Sequence, residues 1–295
     1  MLNTISLWHI SIISIDLIIA IIALSSIRYL QGLLNGVNTS DELAKKDNFA
    51  FGISTAGGIL AVSLILFAAV SGDSSVSLLV EAGHVAIYAV AGILFLKIGS
   101  IINDAIIFHK FSLREKIAEK NIAAGVIQAA NMIALGIIIY SAMNWGPDSN
   151  YLGLIPVTLV FIASQVILLI VTRLRSAIYK KRHENKLLQD ALAEGNIALA
   201  IRYAGHILGT ALALSAASGL VMFLPGEITR SILNWFAVAI VVTALLSPLA
   251  TITRVVVLSG INIVDEIDNQ QNVGVAYIEA TIFIAVGFIF NGLFG

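Results

Sequence analysis

Long apolar runs separated by shorter polar stretches dominate this sequence. Eight runs of about 20 mainly apolar residues, the length that an α-helix needs to cross a bilayer, follow one another along the chain. They lack the alternation of apolar and polar positions that is typical of a membrane β-barrel. The pattern therefore predicts an all-α integral membrane protein. The eight predicted spans are, roughly, 9–31, 49–71, 78–102, 122–143, 152–172, 197–222, 233–257 and 273–293.

The connectors between the spans differ in length and charge, and this difference predicts an orientation. Four connectors are long, and the first three of these carry most of the basic residues outside the spans, whereas the three short connectors contain only Arg230. Because basic residues concentrate in cytoplasmic loops, we expect the long connectors inside the cell and both termini outside. The fourth long connector is acidic and departs from this pattern. The long connectors lie at roughly 32–47, 103–120, 173–195 and 258–271.

The composition agrees with a lipid environment and argues against several classes of function. Apolar residues make up 58% of the chain and charged residues 12%, about half the charged share of a soluble domain. The 17 basic and 18 acidic side chains nearly cancel, so we expect no nucleic acid partner. The absence of cysteine excludes disulfides and thiolate chemistry. No nucleotide-binding, metalloprotease or serine-hydrolase motif occurs, and we expect no cofactor, no metal and no enzymatic activity.

A repeated string indicates that the chain is built from four similar units. An asparagine opens every even-numbered span, followed by the pattern Asn-x-small-x-small-x-x-x-Ala, and an acid stands six positions before it. Separations of 73, 75 and 76 residues predict four two-helix hairpins. The asparagines are Asn48, Asn121, Asn196 and Asn272, and the acids are Glu42, Glu115, Asp190 and Glu266.

Helix geometry suggests what this string does. At about 100° per residue, the asparagine and the small residues that follow it at positions four and eight share one helix face. The asparagine is then a helix cap, and the small face allows close helix packing. A polar residue seven positions after each asparagine points the same way, and the four either bond neighbouring helices or form a polar site inside the bundle. These residues are Thr55, Gln128, Tyr203 and Glu279.

Ionisable residues within the spans are the strongest candidates for a function, because burying a charge in a membrane is costly. Asp16 lies near the middle of the first span and Glu279 lies in the inner half of the last. Arg202 and His206 stand four residues apart on one face of the sixth span. A pair such as Glu279 with Arg202 could be purely structural, but buried carboxylates also suit the handling of protons or cations. We predict an intramembrane polar site that contains these four residues together with Gln128, Tyr203 and Thr55.

A family resemblance accompanies these patterns. Residues 115–125, which read EKIAEKNIAAG, resemble the domain-of-unknown-function 350 family, the YjfL-like bacterial inner-membrane proteins. Residues 41–60 match the first hairpin of such a domain, and 190–209 and 266–280 look like a second, diverged copy. The resemblance implies two tandem four-helix domains, over residues 1–146 and 151–295, and a bacterial inner-membrane location. It transfers no catalytic residue, and a single-domain relative would need to dimerise to build the same arrangement.

Two functions of different kinds remain open at this point. The first is a channel or transporter for protons or monovalent cations, because ionisable residues facing a repeat interface resemble the way transporters place their sites. The second is a non-transporting scaffold or stress sensor that binds a cytoplasmic protein through its long inner loops, above all the basic segment Lys180-Lys181-Arg182. We favour transport. The lipid bilayer is the partner that composition requires, and the sequence leaves homo-oligomerisation and the arrangement of the repeats open.

Overall fold

The computed structural model of the chain describes residues 7–35, 37–71, 77–146 and 151–295, and over these ranges it contains helices and no strands. The short connector that we predicted at 72–75 lies outside these ranges, and so does 147–150 of the one predicted at 145–150. Short π-helical and 3-10 turns interrupt some of the connectors. The α-helices are α1 (Leu7–Asn35), α2 (Phe49–Val70), α3 (Leu78–Ile102), α4 (Leu113–Ala118), α5 (Ile122–Trp145), α6 (Leu154–Arg182), α7 (Leu188–Ala193), α8 (Ile197–Leu220), α9 (Ile228–Val257) and α10 (Val273–Phe294).

Eight of these helices are long and apolar enough to cross a membrane, which confirms the eight predicted spans. The other two, α4 and α7, have six residues each and lie within long connectors. The largest difference from the prediction is in α6, which continues to Arg182 although its apolar run ends near 172. Its last turn is basic, and cations at a helix C-terminus stabilise the helix because they interact favourably with the negative end of its dipole.

Four of the spans form a row through the middle of the molecule. Helices α2, α5, α8 and α10 pack one against the next in chain order, with α2 and α10 at the ends. The remaining spans lie beside this row: α1 and α3 on α2, α6 on α5, and α9 on both α8 and α10. Because α5 of the first half packs on α8 of the second, the two halves share one continuous row of helices.

Small residues allow the helices of this row to approach closely. A Cβ added to Gly57 on α2 would lie 2.4 Å from the Cα of Ala129, and one added to Gly205 on α8 would lie 2.2 Å from the Cα of Ala280. Both alanines stand eight positions after a repeated asparagine. Any side chain at either glycine would push two helix backbones apart. The predicted small face is therefore used for close packing.

The repeated asparagines begin the four helices of the row. Each side chain is an N-cap that accepts a hydrogen bond from the backbone N–H three residues later, at 3.0–3.2 Å. Two of them also reach the next unit, since Asn48 Nδ2 donates to the carbonyl of Ile117 and Asn121 Nδ2 to that of Ala193, both at 2.9 Å. The asparagines thus cap one helix and, at these two places, tie it to its neighbour.

The four repeat-motif acids have two different structural roles. Glu42 and Glu266 accept a hydrogen bond from their own asparagines, Asn48 and Asn272, at 2.9 and 2.8 Å. Glu115 and Asp190 instead lie in the first turns of α4 and α7, where a carboxylate stabilises the helix through its interaction with the positive end of the dipole. Their regular spacing in the sequence therefore reflects the folding of the connectors.

Candidate functional site

Buried charge concentrates where α6, α8, α9 and α10 meet, in the second half of the chain. At its centre is Glu279, seven residues into α10, whose side chain is completely buried. Arg202 Nε on α8 donates to one carboxylate oxygen at 2.6 Å, and Arg254 Nη1 on α9 donates to the other at 2.5 Å. The pair that we considered from the sequence, Glu279 with Arg202, is therefore present. Hydrogen bonds between ionised groups are about twice as strong as neutral ones, so Glu279 holds three helices together.

A second carboxylate enters the same cluster from a connector. Asp268 lies in the π-helical turn Asp265–Asn269 that precedes α10, and it is buried. One of its oxygens accepts from Arg202 Nη1 at 2.5 Å, and the other is 2.8 Å from Nε2 of His183 at the end of α6. Arg202 therefore bridges two acids. Every carboxylate oxygen of Glu279 and Asp268 already has a partner within the protein.

A third arginine of this cluster, Arg175, forms no ion pair with a carboxylate of the described residues. Nη1 of Arg175 on α6 contacts Nδ1 of His206, and its guanidinium lies 5.2 Å from the ring centroid of Phe283. Within the described ranges, no carboxylate lies within 4 Å of Arg175. An arginine is always protonated, so His206 Nδ1 must accept and Nε2 carries the ring hydrogen. That Nε2 is 3.9 Å from Glu279, too far for a hydrogen bond.

These side chains surround a cavity of about 190 Å³ between α6, α8, α9 and α10. Its walls combine the charged cluster with Tyr203, Phe283 and the hydroxyls of Ser247 and Thr251. The exposed Arg182 lies at its edge. Four arginines and two carboxylates line the cavity, which gives it an excess of positive charge. The arginines are Arg175, Arg182, Arg202 and Arg254, and the acids are Asp268 and Glu279.

The first half contains a cavity of similar size, about 180 Å³, at the corresponding place. Gln128 stands there where Glu279 stands in the second half, counted from the preceding asparagine, and its Nε2 donates to Ser100 Oγ at 2.7 Å. By the same counting, Ser54 corresponds to Arg202 and Ile117 to Asp268, and both line this first cavity. At these three positions the second cavity carries charge where the first is neutral. The first cavity has charged residues at other positions, namely Lys97, Asp104 and Arg114.

The structure does not gather all the predicted polar residues into one site. Arg202, His206, Tyr203 and Glu279 line the second cavity, and Gln128 lines the first. Tyr203 also donates to Asn131 Oδ1 on α5 at 2.9 Å. The reason for the separation is the row itself, in which equal depths on successive helices lie one helix diameter apart, about 8–10 Å.

Two further predicted residues lie outside both cavities. Thr55 is buried on α2 and donates to the carbonyl of Phe51 in its own helix, at 2.8 Å. Asp16 is half-buried on α1, which packs on α2 and α3, whereas Glu279 is on α10 at the opposite end of the row. Asp16 therefore belongs to a different part of the molecule from Glu279.

Sequence reasoning missed four members of the cluster, among them His183, the partner of Asp268. Arg175 falls within the predicted third connector, 173–195, but α6 continues past it. Arg254 lies in the seventh predicted span, and an arginine within an apolar run is itself a signal that could have singled it out. Asp268 belongs to the acidic fourth connector, which departed from the expected basic pattern. Because Asp268 is buried in the cluster, its role there explains why one of the acids of this connector is present. No metal cluster is visible among the described side chains.

These features define a multi-pass helical membrane protein of two tandem four-helix domains, with a buried arginine–carboxylate cluster in the second. The chain belongs to the Domain of Unknown Function (DUF350) family, whose sequence model matches it twice, over residues 5–143 and 149–294. It is also similar to a UPF0719 transmembrane protein of Aquifex aeolicus (strain VF5), with 28% identity over 104 residues. That alignment covers 35% of this chain and 39% of the relative. No solved structure matches the chain significantly.

Proposed function

We propose that this protein moves a small ion across the membrane and that the cluster around Glu279 is its ion site. The observation that carries this proposal is a completely buried carboxylate, on a membrane-spanning helix, that is held by arginines from two other spans. Ionisable groups within spans are costly, and in membrane proteins they mark ion and substrate pathways. A small-residue face would have been enough for packing alone, as the rest of the row illustrates.

The contacts between the cluster and the helices support a movement of helix α9. Glu279 is bonded to α8 and α9, and Asp268 joins a connector turn to α8 and to the end of α6. Helix α9 packs less extensively on the row than α8 and α10 pack on each other. A change in the charge of the cluster would therefore act first on the position of α9. We propose that this contact gates the pathway by taking a second arrangement when its charge changes.

The orientation and location are part of the same proposal. The charge distribution of the connectors supports long loops inside the cell and both termini outside, in the inner membrane of a bacterium. The cluster would then open toward the cytoplasm, because Arg182 and Asp268 lie beside long connectors. The identical asparagine caps at four helix starts support a chain of four repeated hairpins. We also propose that the protein is not an enzyme.

A scaffold is the second candidate function, and one observation favours it. Helix α6 ends in the exposed residues Lys180, Lys181 and Arg182, well past its apolar part, where they could contact a cytoplasmic protein or anionic lipid. Against this, Gln189 of the same connector is already bonded to the backbone at Lys110 and Ile107, at 3.0 and 3.1 Å. Part of the connector is thus engaged within the protein.

The proposal is tested by ion flux in liposomes that contain the purified protein. Proton, sodium, potassium and chloride fluxes are measured for the wild type, for Glu279→Gln and for Glu227→Gln, an exposed acid that pairs with Arg230 at the start of α9. We expect one of these fluxes in the wild type, its loss in Glu279→Gln, and no change in Glu227→Gln. Circular dichroism of each reconstituted protein ensures that lost flux is not lost folding.

Absence of all four fluxes from folded wild-type protein would reject transport of these ions. The scaffold would then be tested by replacing Lys180, Lys181 and Arg182 with glutamine. Loss of a cellular phenotype in that triple variant, but not in Glu279→Gln, would establish the scaffold instead.

A further inference from the structure

We infer that the cavity between α6 and α9 binds an oxyanion of the phosphate type, with Arg175 as its principal ligand. This inference rests on the proposed function only in taking the second cavity as the ion site, and it reverses the sign of the ion that the sequence led us to expect. Three observations carry it: the distribution of charge in the cluster, the unpaired N–H groups, and the geometry of arginine.

The charge of the cluster is not balanced within the protein. The two buried acids are fully occupied, Glu279 by Arg202 and Arg254, and Asp268 by Arg202 and His183. Among the described residues, Arg175 directly contacts His206 and the ring of Phe283, and no carboxylate lies within 4 Å of it. The side chain is half-buried and its Nε is inaccessible. A charge withdrawn from water without a close counter-charge is unfavourable, and a bound anion would supply the counter-charge.

Unpaired hydrogen-bond donors line the same cavity. Four buried N–H groups have no hydrogen-bond partner among the described residues: Arg175 Nε, Arg202 Nη2, Arg254 Nε and His206 Nε2. All four side chains line the cavity, and they come from three helices, α6, α8 and α9. Buried donors in native proteins are nearly always satisfied by protein, water or ligand, so these four groups call for acceptors that the described side chains do not supply. Every one of these groups is a donor, and none could serve as the ligand of a cation.

The kind of anion follows from the kind of donor. Guanidinium groups present planar pairs of N–H bonds that match two oxygens of a carboxylate or phosphate, and they gain less from a spherical halide. A cavity of about 190 Å³ has room for a tetrahedral oxyanion together with water. The first cavity has Gln128 and Ser54 at the positions of Glu279 and Arg202, and its lining cations are Lys97 and Arg114, beside Asp104.

Two sources could supply such a group. Arg182 is exposed at the edge of the cavity, where soluble phosphate can reach it. Ile178 on α6 and Ser247 on α9 also line the cavity and are exposed on the outer surface of the spans, where a phospholipid headgroup would lie. Both sources offer the same phosphate oxygens. The experiment therefore uses inorganic phosphate and an anionic phospholipid as separate probes.

The test is thermal unfolding of the purified full-length protein in neutral detergent, followed by tryptophan fluorescence. Sodium phosphate is titrated against sodium chloride at equal ionic strength, and phosphatidylglycerol is titrated against phosphatidylcholine. The variants are Arg175→Gln and, as a matched control, Arg230→Gln, an exposed arginine paired with Glu227. Arg175→Gln removes an uncompensated charge, and among the described residues no carboxylate within 4 Å loses a partner, so we expect that variant to remain folded and at least as stable as the wild type when no anion is present.

We expect phosphate, phosphatidylglycerol or both to raise the unfolding midpoint of the wild type and of Arg230→Gln in a saturable way. In Arg175→Gln the apparent affinity should fall at least tenfold. A response to phosphate identifies a soluble oxyanion, and a response to phosphatidylglycerol alone identifies a lipid headgroup. No saturable response to either probe, or an equal response in Arg175→Gln, would overturn the inference.

The outcome is separable from that of the flux assay. Phosphate binding without any ion flux would reject the proposed transport and leave the anion site in place. Sodium, potassium or proton flux that needs Glu279, without binding of either probe, would reject the anion site and leave transport in place.

Discussion

Gln128 in the first domain and Glu279 in the second stand at the same position, seven residues after the asparagine that caps their helix, but their surroundings differ. Gln128 makes a neutral hydrogen bond to Ser100, whereas Glu279 binds Arg202 and Arg254. Both residues line cavities of nearly the same size. The two domains therefore share a scaffold of caps and small residues, and they differ in the charge at this position: Glu279 and its two arginines are found in the second domain, whereas Lys97, Asp104 and Arg114 line the first cavity around a neutral Gln128.

The largest effect on stability should come from Glu279 itself. In Glu279→Gln the second domain receives the residue that the first domain has at this position, but Arg202 and Arg254 lose a partner. Removing one member of a buried ion pair costs about 3–5 kcal/mol. In Gln128→Leu, loss of the hydrogen bond with Ser100 should cost only about 1–3 kcal/mol. Chemical unfolding in mixed micelles measures both, and equal losses would contradict the difference between the domains.

The next largest effect should be the same in both domains. Gly57→Ala and Gly205→Ala each place a Cβ within 2.4 Å of a facing helix backbone, so each should cost about 1–3 kcal/mol or more through overpacking. Gly292→Ala on α10, where nothing lies within 4 Å of the added atom, is the control and should gain up to about 1 kcal/mol of helix stability. Unequal losses at Gly57 and Gly205 would show that the scaffolds differ.

A smaller effect tests the junction between the domains. Asn121 caps α5 and donates to the carbonyl of Ala193 in the second domain. Asn121→Asp keeps the cap but removes this donor, whereas Asn121→Ala removes both. We expect losses of roughly 1 kcal/mol for each interaction, so the alanine variant should be the less stable of the two. If Asn121→Asp matched the wild type in unfolding experiments, the contact between the domains would contribute nothing.

The smallest effect concerns pH and the first domain. The hydrogen bond from Lys46 and then that from Asn48 lower the pKa of Glu42, which lies in a connector, below its ordinary value of 4.5. A lowered folded-state pKa adds stability above the unfolded pKa, and that stability is lost as the pH falls through the folded pKa. When the pH is lowered from 6 to below 4.5, the thermal unfolding midpoint of the wild type should therefore decrease more than that of Glu42→Gln. Parallel pH profiles of the two proteins would contradict this contribution.

The sequence predicted much of the scaffold because each of its devices is local. A run of about 20 apolar residues, an asparagine cap and a small face are each visible within one helix, and the eight spans were found in this way. The order of the helices in the row was not predictable. It depends on which small faces meet, such as Gly57 with Ala129, and every helix of the row offers a similar face.

The site was only partly predictable for a different reason. Glu279 and Arg202 stood out because each is an ionisable residue in an apolar run. Arg175 and Asp268 lie among other charged residues at the ends of spans, where charges usually meet water, and only tertiary packing buries Asp268 and turns Arg175 toward His206. The sequence alone could therefore show a carboxylate and its first arginine, but not the excess of positive charge around them.

The central claim is that the second domain carries an ion site and that the first provides only its scaffold. The most direct test compares ion flux through liposomes containing wild type, Glu279→Gln and Gln128→Asn, with each protein shown to be folded. Phosphate flux is measured together with proton, sodium, potassium and chloride flux. We expect flux in the wild type and in Gln128→Asn, and at least a tenfold loss in Glu279→Gln. Undiminished flux in Glu279→Gln, or an equal loss in Gln128→Asn, would contradict the claim.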